Sequence, residues 1–434
     1  MKVGIIGGTK GLGKTLAILL KKEGYDVTIT GRDTSVGLTV SEKLGVSYSN
    51  DNKKTANVND IVIVSVPIAT TSAVIKEIAN SMKKGSLLLD VTSVKEGPSN
   101  LMNELLDDDV EFIPTHPVFG PRTTNLNGQV IVLTPIKKGK WYPKVIDFLK
   151  KHKMRIIEAS PSEHDKMMSI VQILTHFSYI STASAIKKLG ISIKDTRKFA
   201  SPIYGLMVDM ISRIVSQNPI LTYSIQLENE NGENVRETFT ESVLELKDVL
   251  TNQDEEKFVK IAIEATKNLD DIQAALGRSD KAIESLNHEI SSLKNAVGKE
   301  IALKHIYSEE VHIGILTDLD PEFVTLNTKK GEKNLKIANI KILDEENLKE
   351  WKLINKEIKT QSISCVFPNS CNEAIIAQAI SKLDEITDVK ITDIYHGPQV
   401  ANDKISITFE IDAFDVSAFE NVETFLKGFG GIIR

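Results

Sequence analysis

Two polar segments of the chain carry side chains suited to acid–base chemistry, Asp90-Val-Thr-Ser-Val-Lys95 and Thr115-His116-Pro-Val-Phe-Gly-Pro121. An alcohol gives hydride to a nicotinamide only when a base takes its hydroxyl proton, and histidine titrates close to neutral pH. Ser93 can hydrogen-bond the imidazole or the hydroxyl, and Lys95 either faces cofactor phosphates or lies on the surface. Together with His116 as the base, these residues predict a hydride-transfer site.

Each polar segment follows an apolar run that predicts a buried strand. The runs are Ser86–Leu89 and Val110–Ile113. In open α/β sheets, ligands bind beyond the carboxyl ends of the parallel strands. We therefore expect both polar segments to meet at that edge of one sheet, and we expect the chain to be an enzyme.

A glycine-rich loop lies between the first predicted strand, Lys2–Ile6, and the first predicted helix, Lys14–Lys22. Glycines allow a tight turn and let a pyrophosphate approach the N–H groups at the helix start. The spacing fits G-x-G-x-x-G with Lys10 at the middle position, and it fits G-x-x-x-G-x-G equally well. The predicted dinucleotide contacts in this loop are Gly7, Gly8, Thr9, Gly11, Leu12 and Gly13.

The second predicted strand, Asp26–Thr30, bears on the choice of cofactor. A carboxylate at its tip would hold the ribose of NAD, whereas an arginine there can bind the 2′-phosphate of NADP. Arg32 favours NADP, and Asp33 keeps NAD open because it could reach the ribose or pair with Arg32. The next strand, Asp60–Val66, adds two predicted cofactor contacts, Ser65 and Pro67.

Helical patterns follow the predicted sheet. Ser160-Pro-Ser-Glu163 is a capping box that begins a helix extending to Lys188. Gln172 and His176 share one face of this helix. His176 is either a core histidine or a residue of the substrate site.

A second helix begins at Ser201-Pro202 and ends at Asn218-Pro219. It contains Arg213, whose rigid guanidinium suits a carboxylate ligand. An ion pair with Asp209, one turn earlier, is the alternative. Further amphipathic patterns at 234–250 and 254–275, with a polar continuation to Lys304, predict an all-α domain that buries apolar faces in a homodimer.

The carboxyl-terminal third predicts two further modules. Strands at 311–316, 323–328 and 335–343 form a small β module, and the last strand shifts phase between Ile337 and Ile340, which suggests a bulge. After a polar linker at 349–360, the pattern predicts strand, helix, two strands, helix and strand. This βαββαβ order resembles ACT-type and other ferredoxin-like domains, so we expect either a regulatory ligand, with tyrosine as the hypothesis, or a structural role.

Composition excludes several other classes of protein. The chain has 434 residues, a formal net charge of −6 and two cysteines. It is too long for one hydrophobic core, and its charge does not suit binding to nucleic acid or to a membrane surface. No apolar run approaches the ~20 residues of a membrane span, and the amino terminus enters a strand without a signal peptide. We expect a cytoplasmic protein without a metal site.

The motifs, taken together, resemble the prephenate dehydrogenases of tyrosine biosynthesis. The resemblance rests on the glycine loop, the Ser93-Val-Lys and His116-Pro motifs, Gln172-Ile-Leu-Thr-His176-Phe and Ser201-Pro-Ile-Tyr with its downstream arginine. It implies that His116 interacts with the hydroxyl that is oxidised, that Ser93 supports this histidine and also contacts substrate, and that Arg213 binds a prephenate carboxylate. It also gives His176 a place in the substrate site.

The chain departs from the family pattern at two positions. Lys10 replaces a usual glycine, and Gly205 stands where some relatives carry a second arginine. No chorismate mutase segment precedes the glycine loop, so that activity is not expected. The motifs do not separate prephenate from arogenate, or NADP from NAD. Another NADP-linked oxidoreductase and a non-catalytic nucleotide and amino-acid sensor are the alternative functions.

The expected fold class is α/β, with four consecutive domains. These are a Rossmann-type doubly wound sheet (1–157), an all-α substrate and dimerisation domain (158–304), a small β module (305–355) and an ACT-like βαββαβ domain (360–434).

Overall fold

A computed structural model describes residues 1–123, 125–269 and 271–434. The chain divides into two compact units, Met1–Ile272 and Gln273–Arg434. The strands of the first unit are β1 (Lys2–Ile6), β2 (Asp26–Thr30), β3 (Ser47–Ser49), β4 (Ile61–Val64), β5 (Leu87–Asp90), β6 (Glu111–Pro117), β7 (Val130–Leu133) and β8 (Arg155–Glu158). Its helices are α1 (Gly11–Lys22), α2 (Thr34–Leu44), α3 (Asn52–Val58), α4 (Ile68–Ile78), α5 (Glu96–Leu105), α6 (Tyr142–Lys151), α7 (Pro161–Met168), α8 (Thr175–Lys188), α9 (Ile193–Thr196), α10 (Pro202–Val215), α11 (Pro219–Leu227), α12 (Gly232–Thr251) and α13 (Glu255–Thr266).

The eight strands form one sheet in the order β3-β2-β1-β4-β5-β6-β7-β8. The first six pair in parallel, β7 runs antiparallel to β6, and β8 is parallel to β7. This strand order is that of a doubly wound nucleotide-binding sheet. The predicted Rossmann-type sheet is confirmed, and the polar segments after β5 and within β6 lie at its carboxyl edge.

Apolar side chains alternate between the two faces of this sheet, because successive residues of a strand point to opposite sides. On one face Val62 and Val64 pack with Ile75 of α4 and Met102 of α5. On the other face the intervening Ile63 lies in a cluster with residues of β1, β2 and α1. Both faces of the parallel strands are therefore buried, which explains their nearly continuous apolar sequences.

The helix predicted from the capping box to Lys188 has three consecutive parts. Ser160 accepts a hydrogen bond from Glu163 N at 3.2 Å and begins α7. Ser169–Leu174 then forms a π-helical turn, and α8 completes the predicted span. Wider π-helical turns are frequent at functional sites because they re-aim side chains. Here the turn contains Gln172.

In the second unit, a long helix, α14 (Ile272–Asn295), precedes two antiparallel sheets. The first sheet has strands β9 (Glu300–His305), β10 (Val311–Leu319), β11 (Phe323–Thr328), β12 (Gly331–Lys336) and β13 (Ile340–Ile342), in the order β12-β11-β10-β9-β13. The second comprises β14 (Lys359–Pro368), β15 (Ile386–Tyr395), β16 (Lys404–Ala413) and β17 (Ile432–Ile433), in the order β15-β16-β14-β17. The other α-helices of the second unit are α15 (Glu345–Asn355), α16 (Glu373–Ile380) and α17 (Ser417–Gly428).

Three expectations for this region need correction. The helical continuation to Lys304 is wrong, because residues 300–305 form β9, which pairs with β10 and β13 and buries Leu303. The domain boundary expected at 304/305 therefore cuts a strand. The phase shift before Ile340 is a 3₁₀ turn between two strands rather than a bulge. Helix α15, capped by Asp344, occupies much of the expected linker. Membership of β14–β17 in the ACT class stays a prediction.

Candidate active site

His116 lies near the end of β6 with only 2% of its surface exposed. Its Nδ1 is 2.8 Å from Nε2 of His164, and the two rings meet edge to face. Its Nε2 lies 3.4 Å from the side-chain nitrogen of Gln172. One nitrogen of the predicted base is thus engaged by a buried partner, and the other points toward the π-helical turn.

His164 is itself held by the carboxylate next to it in the chain. Its Nδ1 lies 2.7 Å from Oδ1 of Asp165. Asp165 also accepts hydrogen bonds from the backbone N–H groups of Lys95 at 2.8 Å and Glu96 at 2.9 Å. These N–H groups open α5, which receives no cap from its own N-cap side chain. Asp165 therefore caps α5 and ties the polar segment after β5 to the His116–His164 pair.

Lys95 is fully buried and forms an ion pair with Asp90. Lys95 Nζ also donates to Thr92 Oγ1 at 3.0 Å, and Thr115 N donates to the other carboxylate oxygen of Asp90 at 3.3 Å. Burial lowers the pKa of Lys95, opposed by the attraction of Asp90. The two expected positions of Lys95, facing cofactor phosphates or on the surface, are both wrong. Its ammonium group joins β5 to the loop that follows it.

The surroundings of His116 keep its imidazole neutral. Burial, followed by positive charge on His164 when that ring is protonated and on the Lys95 ammonium, holds the pKa of His116 well below its usual range. A neutral imidazole has one free lone pair, which is the requirement for accepting a hydroxyl proton.

Ser93, the predicted support of His116, is half-buried between β5 and α5. Among the described residues, no hydrogen bond joins Ser93 to His116, and the buried partner of His116 Nδ1 is His164. The contact of Ser93 with substrate stays a prediction.

The glycine loop forms a cradle that side chains would fill. Gly7 has a φ of +89°, and a Cβ there would lie 2.2 Å from Ser65 O. A Cβ on Gly13, in the first turn of α1, would lie 2.5 Å from Gly7 O. At Gly11 no heavy atom lies within 4 Å of the Cβ position, so this glycine borders open space at the helix start. Close backbone packing with space over a helix N-terminus fits a dinucleotide pyrophosphate.

The residues after β2 separate into two roles. Asp33 caps α2, accepting hydrogen bonds from Ser35 Oγ at 2.7 Å and Val36 N at 3.1 Å, and these bonds lower its pKa. Arg32 is exposed, and no ion pair joins it to Asp33 within the described parts of the chain. Pro67 begins α4 as its N-cap, next to the loop that contains Ser65.

Two predicted substrate residues lie in the helical region. Arg213 is exposed on α10, and the alternative pairing with Asp209 is wrong because Asp209 pairs with Arg197. His176 on α8 is 8% exposed, and burial lowers its pKa. Its Nδ1 is buried without a hydrogen-bond partner among the described residues. No hydrogen bond, ion pair or ring contact found among them joins Arg213 or His176 to His116.

The sequence analysis missed His164 and Asp165. A signal for His164 was present, since it lies eight residues before Gln172 and twelve before His176, in steps of four along the same helical span. No local pattern identified Asp165, because its partners include the backbone of Lys95, 70 positions away in the chain.

Comparisons with known proteins agree with this geometry. Residues 16–158 match the family model for the prephenate dehydrogenase nucleotide-binding domain, and residues 160–264 match that for the prephenate dehydrogenase dimerization domain. A probable arogenate/prephenate dehydrogenase of Methanocaldococcus jannaschii is 41% identical over 432 residues, which cover 98% of this chain and 96% of that protein.

More distant relatives cover about three fifths of the chain. The T-protein of Haemophilus influenzae is 29% identical over 59% of this chain and 64% of its own length. The crystal structure of prephenate dehydrogenase from Aquifex aeolicus covers 61% of this chain and 97% of its own, with a TM-score of 0.50 and 22% identity, and so shares the fold. Because the Methanocaldococcus jannaschii relative is 41% identical over nearly the full length, and both domain models match, this chain belongs to the prephenate dehydrogenase family of NAD(P)-dependent oxidoreductases.

Proposed function

We propose that the protein oxidatively decarboxylates prephenate to 4-hydroxyphenylpyruvate, with arogenate as the alternative substrate. The observation that carries the proposal is the buried, neutral imidazole of His116 at the carboxyl edge of a nucleotide-binding sheet. The Methanocaldococcus jannaschii relative, whose name includes both substrates, supports the pair without separating them.

The chemistry follows from the acceptor at His116 Nε2. A nicotinamide held by the glycine loop would supply the acceptor for the hydride that leaves the ring carbinol carbon. His116 Nε2 accepts the hydroxyl proton, and a ring ketone forms. The bond to the ring carboxylate then breaks, its electrons enter the ring, carbon dioxide leaves, and the oxygen regains a proton as a phenol. Aromatisation makes this step strongly downhill, so the residues need only orient the substrate and move one proton.

We place the cofactor on the loop from Gly7 to Gly13, with contacts from Ser65 and Pro67. Arg32 is exposed beside this loop, and Asp33 is engaged in capping α2. An exposed arginine favours the 2′-phosphate of NADP, so NADP is the proposed cofactor and NAD the alternative.

The substrate carboxylates require a cation, and Arg213 is the proposed one. Its exposure on α10 leaves the guanidinium available for a carboxylate. On the neighbouring α8, the buried Nδ1 of His176 has no hydrogen-bond partner in the described parts of the chain, which suits a second polar contact with substrate. A homodimer is proposed because the helices of the matched dimerization domain expose large apolar side chains. Among them are Ile203, Met207, Met210, Ile220, Val243, Leu246, Leu250 and Val259.

The test is reduction of NADP or NAD, followed by absorbance, with prephenate and arogenate in turn. Wild type is expected to turn over one of these substrates. His116→Asn is expected to lose at least about 100-fold in kcat, because the base is removed. His152→Asn, a histidine that packs against Phe148 away from the site, is the control. Absence of reduction with both substrates and both cofactors would contradict the proposed function.

A further inference from the structure

We propose that His164 and Asp165 are positioning residues that hold the proton of His116 on Nδ1 and leave Nε2 bare. This inference rests on the proposed function only for the use made of Nε2. These residues and His116 form one buried series of hydrogen bonds. Asp165 Oδ1 lies 2.7 Å from His164 Nδ1, and His164 Nε2 lies 2.8 Å from His116 Nδ1.

Counting protons along this series of hydrogen bonds gives the donor and the acceptor of each one. Asp165 accepts two backbone N–H groups, so its carboxylate acts as an acceptor, and His164 must donate from Nδ1. A neutral His164 then has a lone pair on Nε2, which accepts the proton on His116 Nδ1. His116 Nε2 is left without hydrogen. The backbone N–H groups at the start of α5 also compensate the negative charge of Asp165.

The opposite arrangement would disable the site. If His164 carried protons on both nitrogens, it would donate to His116 Nδ1, and a neutral His116 would carry its proton on Nε2. A second buried cation would also lie near the Lys95 ammonium, whose charge is matched by Asp90. Among the described residues, the charge on His164 would be opposed only by Asp165, which already accepts two backbone N–H groups, and burial makes such a partly compensated cation expensive.

The position of Gln172 agrees with a bare Nε2. Its side-chain NH₂ group faces His116 Nε2 at 3.4 Å and can donate to it. At this distance the hydrogen bond is weak, so a substrate hydroxyl can replace the amide. During reaction the imidazolium of His116 would keep donating from Nδ1 to His164, and Asp165 would stabilise the positive charge through that bond, as a carboxylate does for the histidine of a serine-protease triad.

The tautomer can be measured without turnover. Solid-state ¹⁵N spectra of histidine-labelled protein, assigned with His116→Asn and His164→Gln, report which ring nitrogen carries hydrogen. We expect His116 to show a protonated Nδ1 and a bare Nε2, and His164 likewise. A His116 protonated on Nε2 would overturn the assignment, whether or not the protein turns over prephenate.

Kinetics test the consequence with a matched pair of variants. His164→Leu preserves bulk but removes the acceptor, so kcat is expected to fall at least about 100-fold with KM changed little. His164→Gln supplies an amide oxygen that can accept a hydrogen bond from His116 Nδ1–H. We therefore expect its kcat to be at least about tenfold higher than that of His164→Leu. A packing role alone would leave His164→Leu active or His164→Gln no better, and either result would overturn the proposal. Melting curves verify folding, and His152→Leu is the control.

The pH profile distinguishes a neutral from a charged His164. The titratable or charged groups described around His116 are His164 and Asp165 on α7, and Lys95 and Asp90 on the adjacent loop and strand. In the His164→Leu variant, only the first of these groups is replaced. Removing a neutral acceptor that stabilises the imidazolium shifts the acidic limb of kcat/KM to lower pH in His164→Leu. A shift to higher pH, or none, would contradict the proposal.

Discussion

At the scale of single residues, the site is built on buried charge that is individually matched. Lys95 and Asp90 form one pair, and Asp165 is matched by backbone N–H groups and His164. A buried ion pair contributes little net stability, but removal of one partner leaves an uncompensated charge. The Asp90–Lys95 pair therefore makes the loop that carries Ser93 sensitive to a single substitution.

Lys95→Met should destabilise the protein by about 3–5 kcal/mol, because Asp90 would remain buried and unpaired. Lys95→Met combined with Asp90→Leu should recover part of this loss, because the unpaired charge is removed although Thr92 N and Thr115 N lose their acceptor. Denaturant unfolding measures both. Lys84→Met is the matched control, because Lys84 is 89% exposed and lies 3.6 Å from Asp109, so its loss should change stability by less than about 1 kcal/mol. A double variant as unstable as Lys95→Met would contradict this account.

At the scale of elements, caps determine which side chains remain for ligands. The carboxylate of Asp33 accepts a backbone N–H group at the N-terminus of α2, and that of Asp165 accepts backbone N–H groups at the N-terminus of α5. The adjacent Arg32 stays exposed, and the π-helical turn after α7 brings Gln172 to His116. Local helix geometry thus gives Asp33 and Asp165 structural roles and leaves Arg32 exposed for the proposed cofactor contact.

We expect Arg32→Ser to raise KM for NADP at least about tenfold and to leave KM for NAD nearly unchanged, since only NADP has the 2′-phosphate. Asp33→Asn should preserve both values because asparagine also caps helices. Steady-state kinetics with each cofactor measure this, with Arg155→Ser, an exposed arginine on edge strand β8, as the control. A tenfold rise in KM for NAD in Asp33→Asn would instead indicate that Asp33 contacts the ribose.

At the scale of the whole molecule, the candidate active site lies in the first compact unit and the two antiparallel sheets lie in the second. The four-stranded sheet of the second unit has its own core, which contains Phe367, Phe409 and Phe419. The described helices include none with the length and apolar character needed to cross a membrane. The βαββαβ order of β14–β17 motivates the proposal that this unit binds tyrosine as a feedback effector.

Tyrosine is accordingly expected to lower the rate of the full chain and to raise its melting temperature, because a ligand that binds only the folded state stabilises it. Phenylalanine, which lacks the hydroxyl, is the control ligand. If tyrosine changed neither rate nor melting temperature at millimolar concentration, the regulatory proposal would be dropped and a structural role retained.

The sequence by itself predicted most of the elements of the first unit and singled out His116 as the proposed base. The apolar runs of the strands, the capping box at Ser160, the glycine loop and the His116-Pro motif are local signals, since each depends on neighbouring residues or on helix and strand geometry. Only the tertiary structure decided that Lys95 is buried, that residues 300–305 form a strand, and that His164 rather than Ser93 contacts His116. These outcomes depend on partners distant in sequence, such as His116 and His164 at a separation of 48 residues, which local patterns do not encode.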